Sequence, residues 1–313
     1  MLSCWAMMMV MRRVLGMIPT LLLVVGLVFM LIHLVPGDPV AALLGDRATP
    51  ADQAALRAAL GLDQPLFGQF LKFLWGILHG DWGTSMVRGQ PVLGLIGERL
   101  PATGLLALAA MVVALGLGGV LGVLGARNRT PLARGVAQGV NYATLAMMAA
   151  PSFVIGPLLI VLVSVKLNLL PVSGNASWDS LILPALTLGL SLAAVIARMT
   201  TASLEEEAHR DYVRTVLAKG AHRGRVLWTH TLRNALLPVV QIIFLQMGML
   251  LTGAVLTEAV FGWPGLGNLL VEALHQRDYP VIQGCLLFIA FTYMVCVLLA
   301  DVVSALLDPR VRR

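Results

Sequence analysis

Apolar residues along this chain gather into runs near 20 residues, divided by polar stretches, from one end to the other. A hydrocarbon layer of roughly 30 Å needs about 20 residues of helix to cross it. Unpaired backbone groups are too costly in lipid for a spanning segment to be irregular, so these runs predict membrane helices. Six are expected, at 12–35, 101–126, 135–165, 180–197, 234–257 and 279–300. The third run is too long for an upright helix and holds Pro151 and Pro157, which predicts a tilt or kink. Residues 1–11 lack periodicity and read as a tail, with Met11 the natural beginning. Arg12 and Arg13 followed by an apolar run mimic a secretory signal, but no small-residue cleavage site follows, so the run reads as an uncleaved helix. The expected class is an all-α polytopic membrane protein.

The polar connections carry helix signals of their own. In 36–100, Thr49 is a candidate N-cap with Pro50 at the first helical position, Asp52 completes a weak capping box, and Gly61 can end that helix. Leu66, Phe70, Phe73, Leu74 and Ile77 recur at helical spacing with Trp75 on the flank, and Gly80 can close the second helix. Both suit the membrane interface or the mouth of the bundle. In 198–233, Glu205, Glu206 and Glu207 fall early in an expected helix, where negative charge suits the amino end. Tyr212, Val213, Val216 and Leu217 give it an apolar face, and Lys219-Gly220 is a stop. A second helix, from His222 to Arg233, then runs toward Pro238. Together, residues 204–233 predict a knob of two short helices.

Composition agrees with the pattern: 58% of residues are hydrophobic and 12% charged, where a soluble domain carries about 25% charged. The net charge of +6 does not indicate nucleic acid, because the basic residues flank the apolar runs instead of forming a patch. With the N-terminus inside, fifteen Lys and Arg fall on the inner side and seven on the outer. Lys and Arg are retained on the cytoplasmic side, so both termini, the knob and the 301–313 tail are expected there, with 36–100 outside. Cys4, Cys285 and Cys296 are too scattered for a disulfide framework or zinc site, and no histidine has ligand spacing, so no metal is expected.

Individual residues leave alternatives open. Gly116, Gly118, Gly119, Gly122 and Gly125 form a small-residue strip, for close helix packing or a moving contact. Asn141 and Ser152 either line a path or bond between helices. Glu258, at the outer end of an uncharged run, must face protein or water, as a path or outer-gate group or as a brace for the outer loop. Phe261-Gly262-Trp263-Pro264 reads as an interfacial aromatic turn, and Asp301 as the partner of a basic neighbour. No Gly-x-x-x-x-Gly-Lys-Ser/Thr sequence is present, so an energy source must lie elsewhere. Few acidic residues occupy the spans, which disfavours a proton-driven carrier; a non-transporting scaffold is the other alternative.

The stretch Asp211 to Val239 resembles the conserved cytoplasmic loop of ATP-binding-cassette importer permeases, most closely the first permease of the dipeptide, oligopeptide and nickel group. Arg214, Thr215, Ala218, Lys219, Gly220 and Leu232 through Pro238 carry the likeness, although Glu-Ala-Ala of the broader class is Arg214-Thr215-Val216 here. His33 to Pro39, Gly61 to Leu66, Gly80 to Gly83, Leu100 to Thr103, Glu258 with Phe261 to Gly267, Arg277 to Pro280 and Leu307 to Arg310 extend it in order. The resemblance implies the type I importer permease fold and uptake of dipeptides or short oligopeptides, with nickel or glutathione as the alternative. It also implies a second permease, two ATPases holding ATP and Mg2+, and an outer solute-binding protein. Tyr212, Arg214, Thr215, Lys219, Gly220, Arg233 and Asn234 would then meet an ATPase.

Overall fold

The computed structural model describes residues 2–34, 49, 51, 63–126 and 131–307. Among them regular structure is helical, apart from an isolated antiparallel bridge between Thr84 and Pro91. Helix α1 (Leu2–Leu34) is apolar enough to span over Met11–Leu31. It already runs through residues 2–11, so the expected tail is helical; the stretch has no glycine or proline and four methionines, good helix formers. Of the helix expected after Thr49, nearly all lies outside the described residues.

Helix α2 (Leu66–Leu78) lies where the apolar spacing puts it, with Gly80 beyond its end at φ +79°. Phe70 and Phe73 pack on Phe29 of α1 at 5.4 and 5.8 Å, leaving Phe67 and Trp75 exposed on the far side. Helix α3 (Val92–Gly125) begins before the expected residue 101 and takes Pro101 into its interior. Its start is set by the hairpin at Thr84–Pro91, which presents Pro91 at the N-cap and bonds the Val92 N–H to the Gly83 carbonyl at 3.0 Å.

The run expected as one kinked helix at 135–165 is broken. Helix α4 (Pro131–Ala149) and helix α5 (Ser152–Leu159) meet at 101°. Pro151 has no N–H to donate and disfavours α geometry in Ala150, and it sits at extended angles as the N-cap of α5. Pro157 is carried inside α5, which widens into a π-helical segment at Ile160–Lys166.

Helix α6 (Ile182–Ala208) follows a 3-10 turn at Trp178–Leu181 and runs well past the expected end at 197. Glu205, Glu206 and Glu207 therefore close this helix instead of opening the next. Helix α7 (Asp211–Ala218) is the first short helix of the knob. The second is not separate: Arg223–Arg225 passes through a π-helical segment at Val226–Thr231 straight into α8 (Leu232–Phe261). Helix α9 (Leu266–Gln276) turns 78° from the end of α8, and α10 (Tyr279–Leu307) outlasts the expected end at 300. Arg13 of α1 pairs with Asp301 of α10 at 3.1 Å, the basic neighbour expected for that aspartate.

Among the described residues, five helices are long and apolar enough to cross a membrane, or up to seven if each bent pair is one span, a range that includes the expected six. The core joins α3, α6 and α8 through Leu106, Ala110, Leu188, Leu192, Val239 and Leu250. Glycine sets how closely α3 and α6 approach. A Cβ on Gly118 would lie 2.8 Å from the Ala193 carbonyl oxygen, and one on Gly122 only 2.5 Å from the Thr200 Cβ. Gly116 and Gly119 have open space, so the strip read from sequence divides into a packed face and a free one. Because α6 and α8 run from this core into the two roots of the knob, the core fixes where the knob stands.

Candidate functional site

The knob is α7 and the turn after it. Gly220, at φ +83°, occupies the left-handed region that a side chain makes costly, and its N–H bonds the Leu217 carbonyl at 3.0 Å. Lys219 caps α7 with its N–H on the Thr215 carbonyl at 3.1 Å. The Thr215 hydroxyl donates to the Asp211 carbonyl at 3.0 Å. Val213 is 3% exposed and anchors the inner face, whereas Arg214, Thr215, Lys219 and Gly220 lie on the exposed side. Arg233 and Asn234 are exposed at the root of α8. The structure thus groups the sequence-named residues in two places, an outward basic face and the joint beneath it.

That joint also contains Arg210, which sequence reasoning did not single out. Three glutamates at a helix C-terminus oppose the macrodipole, each by about 0.3–1 kcal/mol when exposed. Arg210 offsets this: its Nε reaches Glu207 Oε1 at 2.8 Å and its Nη2 reaches Glu206 at 3.0 Å. The other Glu207 oxygen accepts the Tyr212 hydroxyl at 2.7 Å. Burial, then the Glu207 bond, raises the phenol above its ordinary pKa of 10.0. The tyrosine thereby ties α7 to the end of α6. The exposed Arg–Glu spacing was visible in the chain, but the role of Tyr212 as a bridge was not.

At the other end of α8, Glu258 is fully buried. Its carboxylate accepts the Thr103 hydroxyl at 2.7 Å and the N–H groups of Gly267 and Asn268 at 2.7 and 3.1 Å. Thr103 in turn accepts the Leu266 N–H at 2.7 Å. The carboxylate therefore caps the amino end of α9, where the open N–H groups and dipole favour negative charge. A Cβ on Gly265 would fall on that carboxylate, which is why glycine precedes α9. Gly262, at φ +58°, turns the chain out of α8. Phe261 and Trp263 are buried, not interfacial, and the Trp263 Nε1–H donates to the Ala102 carbonyl at 2.9 Å.

Next to this corner, buried Asp278 receives the Ser85 hydroxyl and the Met86 N–H, the latter at 3.1 Å. Arg88 pairs with Glu272 of α9 at 2.8 Å. The hairpin before α3 is thus fastened to the α9–α10 corner. Asn141 is exposed on α4, and Ser152 opens α5 just past the break, half-buried. Neither is among the partners of Glu258. Among the described residues, no group of three or more His, Cys, Asp or Glu side chains is placed to hold a metal.

Broken, span-length apolar helices joined by a short-helix knob define a polytopic membrane protein. The chain belongs to the family of binding-protein-dependent transport system inner membrane components, which it matches over residues 118–313, with the N-terminal part of that family at 6–107. It is an importer permease of the inner membrane. It is similar to the glutathione transport system permease protein GsiC of Salmonella typhimurium, 43% identical over 305 residues covering 97% of this chain and 98% of the relative. The Pectobacterium atrosepticum protein of the same name is 44% identical, covering 96% and 97%. That of Escherichia coli K12 is 42% identical, covering 97% and 98%. These relatives are named for glutathione transport, not specifically for dipeptide or oligopeptide transport. The fold is that of a permease in an inward-facing MetNI methionine ABC transporter, with TM-score 0.59 at 17% identity over 68% of this chain and 96% of that one.

Proposed function

We propose that this chain pairs with a second, similar permease and moves short peptides, with glutathione the leading substrate, from an outer solute-binding protein into the cytoplasm. The observation that supports this most strongly is similarity over nearly the whole chain to permeases named for glutathione transport. Dipeptides and short oligopeptides belong to the same chemical class, and nickel is the alternative cargo.

Two ATPases on the cytoplasmic side would hold ATP and Mg2+ and carry out hydrolysis. The excess of Lys and Arg supports placing both termini and the knob on that side. ATP binding closes the ATPases, the exposed face around Arg214, Lys219 and Gly220 follows, and the paired permeases open outward; hydrolysis returns them inward. Asn141 and Ser152 are the candidates for lining the path near the α4–α5 break.

Uptake of labelled glutathione, a dipeptide and nickel, in cells lacking this chain and in cells with it restored, tests the reading. Glutathione uptake should return with the chain. Return of nickel uptake alone, or no change for any of the three, rejects it.

A further inference from the structure

Glu207, in the last turn of α6, has both oxygens engaged beyond that helix. One takes Arg210 Nε at 2.8 Å, the other the Tyr212 hydroxyl at 2.7 Å, and its side chain is 13% exposed where that of Glu206 is 73% exposed. Tyr212 stands in the first turn of α7. Below it, buried Val213 and Val226 sit where α7 packs on the π-helical lead-in to α8. A force on α7 therefore has two exits, through Glu207 into α6 and through this packing into α8.

We propose that Glu207 is a positioning residue for energy coupling: it holds Tyr212, and with it α7, at a fixed angle to α6, so that movement of the knob displaces α6 and α8 together. Arg210 aims the carboxylate through its Nε contact at 2.8 Å. This rests on the reading of the knob as the ATPase contact and names the residue that passes its motion inward.

The test uses the full complex, purified through a tag on this chain and reconstituted in proteoliposomes with its binding protein. Glutathione taken up per ATP hydrolysed is read for Glu207→Ala, Glu207→Gln and Tyr212→Phe. Reading the ratio per assembled complex removes any effect of poor folding. Glu207→Ala and Tyr212→Phe should lower it about fivefold or more, the scale of a coupling between sites, while ATP hydrolysis continues. Glu207→Gln, which still accepts from Tyr212, should recover much of the ratio. A ratio equal to wild type in both disrupting variants, or a parallel loss of uptake and hydrolysis, overturns the proposal. Failure of the unaltered chain to bring down any ATPase overturns the functional reading itself, and this inference with it.

Discussion

The Thr103 hydroxyl donates to Glu258 at 2.7 Å across 155 positions of sequence, and both side chains are essentially fully buried. This bond ties α3 to the corner between α8 and α9, because Glu258 also caps α9 and Thr103 receives a further N–H from it. A carboxylate at this depth is tolerable because fixed donors surround it. It braces the corner.

Replacing Glu258 with Ala leaves a buried hydroxyl, a buried N–H and a half-buried N–H without their acceptor. Each orphaned donor costs about 1–3 kcal/mol, so the thermal midpoint of the detergent-purified protein should fall sharply. Glu258→Gln, with one acceptor oxygen left, should fall less. A midpoint unchanged in Glu258→Ala means the carboxylate does not hold the corner.

Gly122 and Gly119 provide a paired test of the α3–α6 contact. Gly122→Ala places a methyl 2.5 Å from the Thr200 Cβ and should lower the unfolding temperature, because two packed helices must separate. Gly119→Ala enters open space and should be neutral or slightly stabilising, since alanine favours helix over glycine by about 1 kcal/mol. Equal effects at the two positions contradict the observed packing.

At Gly220 the penalty is conformational, not steric, for a Cβ there would meet nothing within 4 Å. A β-branched residue at φ +83° costs about 1–2 kcal/mol and tends to unwind the turn that orients α7. Gly220→Val should insert in the membrane normally but lower both uptake and coupled ATP hydrolysis. Wild-type uptake at normal expression excludes a role for this turn.

Asp278 anchors the hairpin before α3, so Asp278→Ala should free Ser85 to Arg88. Tryptic cleavage after Arg88, followed by mass spectrometry on intact vesicles of outward orientation, should quicken by about tenfold, the effect of a 1.4 kcal/mol loss in local stability. An unaltered rate shows that the Arg88–Glu272 pair holds the hairpin alone.

Apolar run length determined by itself that this chain crosses a membrane repeatedly, since no arrangement of polar neighbours changes the cost of leaving such runs in water. The local signals at Leu66–Leu78 and at Lys219-Gly220 were equally sufficient, because a helix stripe and a left-handed stop depend only on nearby residues. Tertiary contacts decided the rest. Pro101 looked like a helix start, but the hairpin at Thr84–Pro91 starts α3 earlier; Pro151 looked like a kink and is a break. Glu207 looked like the opening of a helix and closes one, and Glu258 could have faced a path until Thr103, Gly267 and Asn268 came to it. Charge and burial become a role only when distant segments supply the partners, and that pairing is a property of the folded bundle.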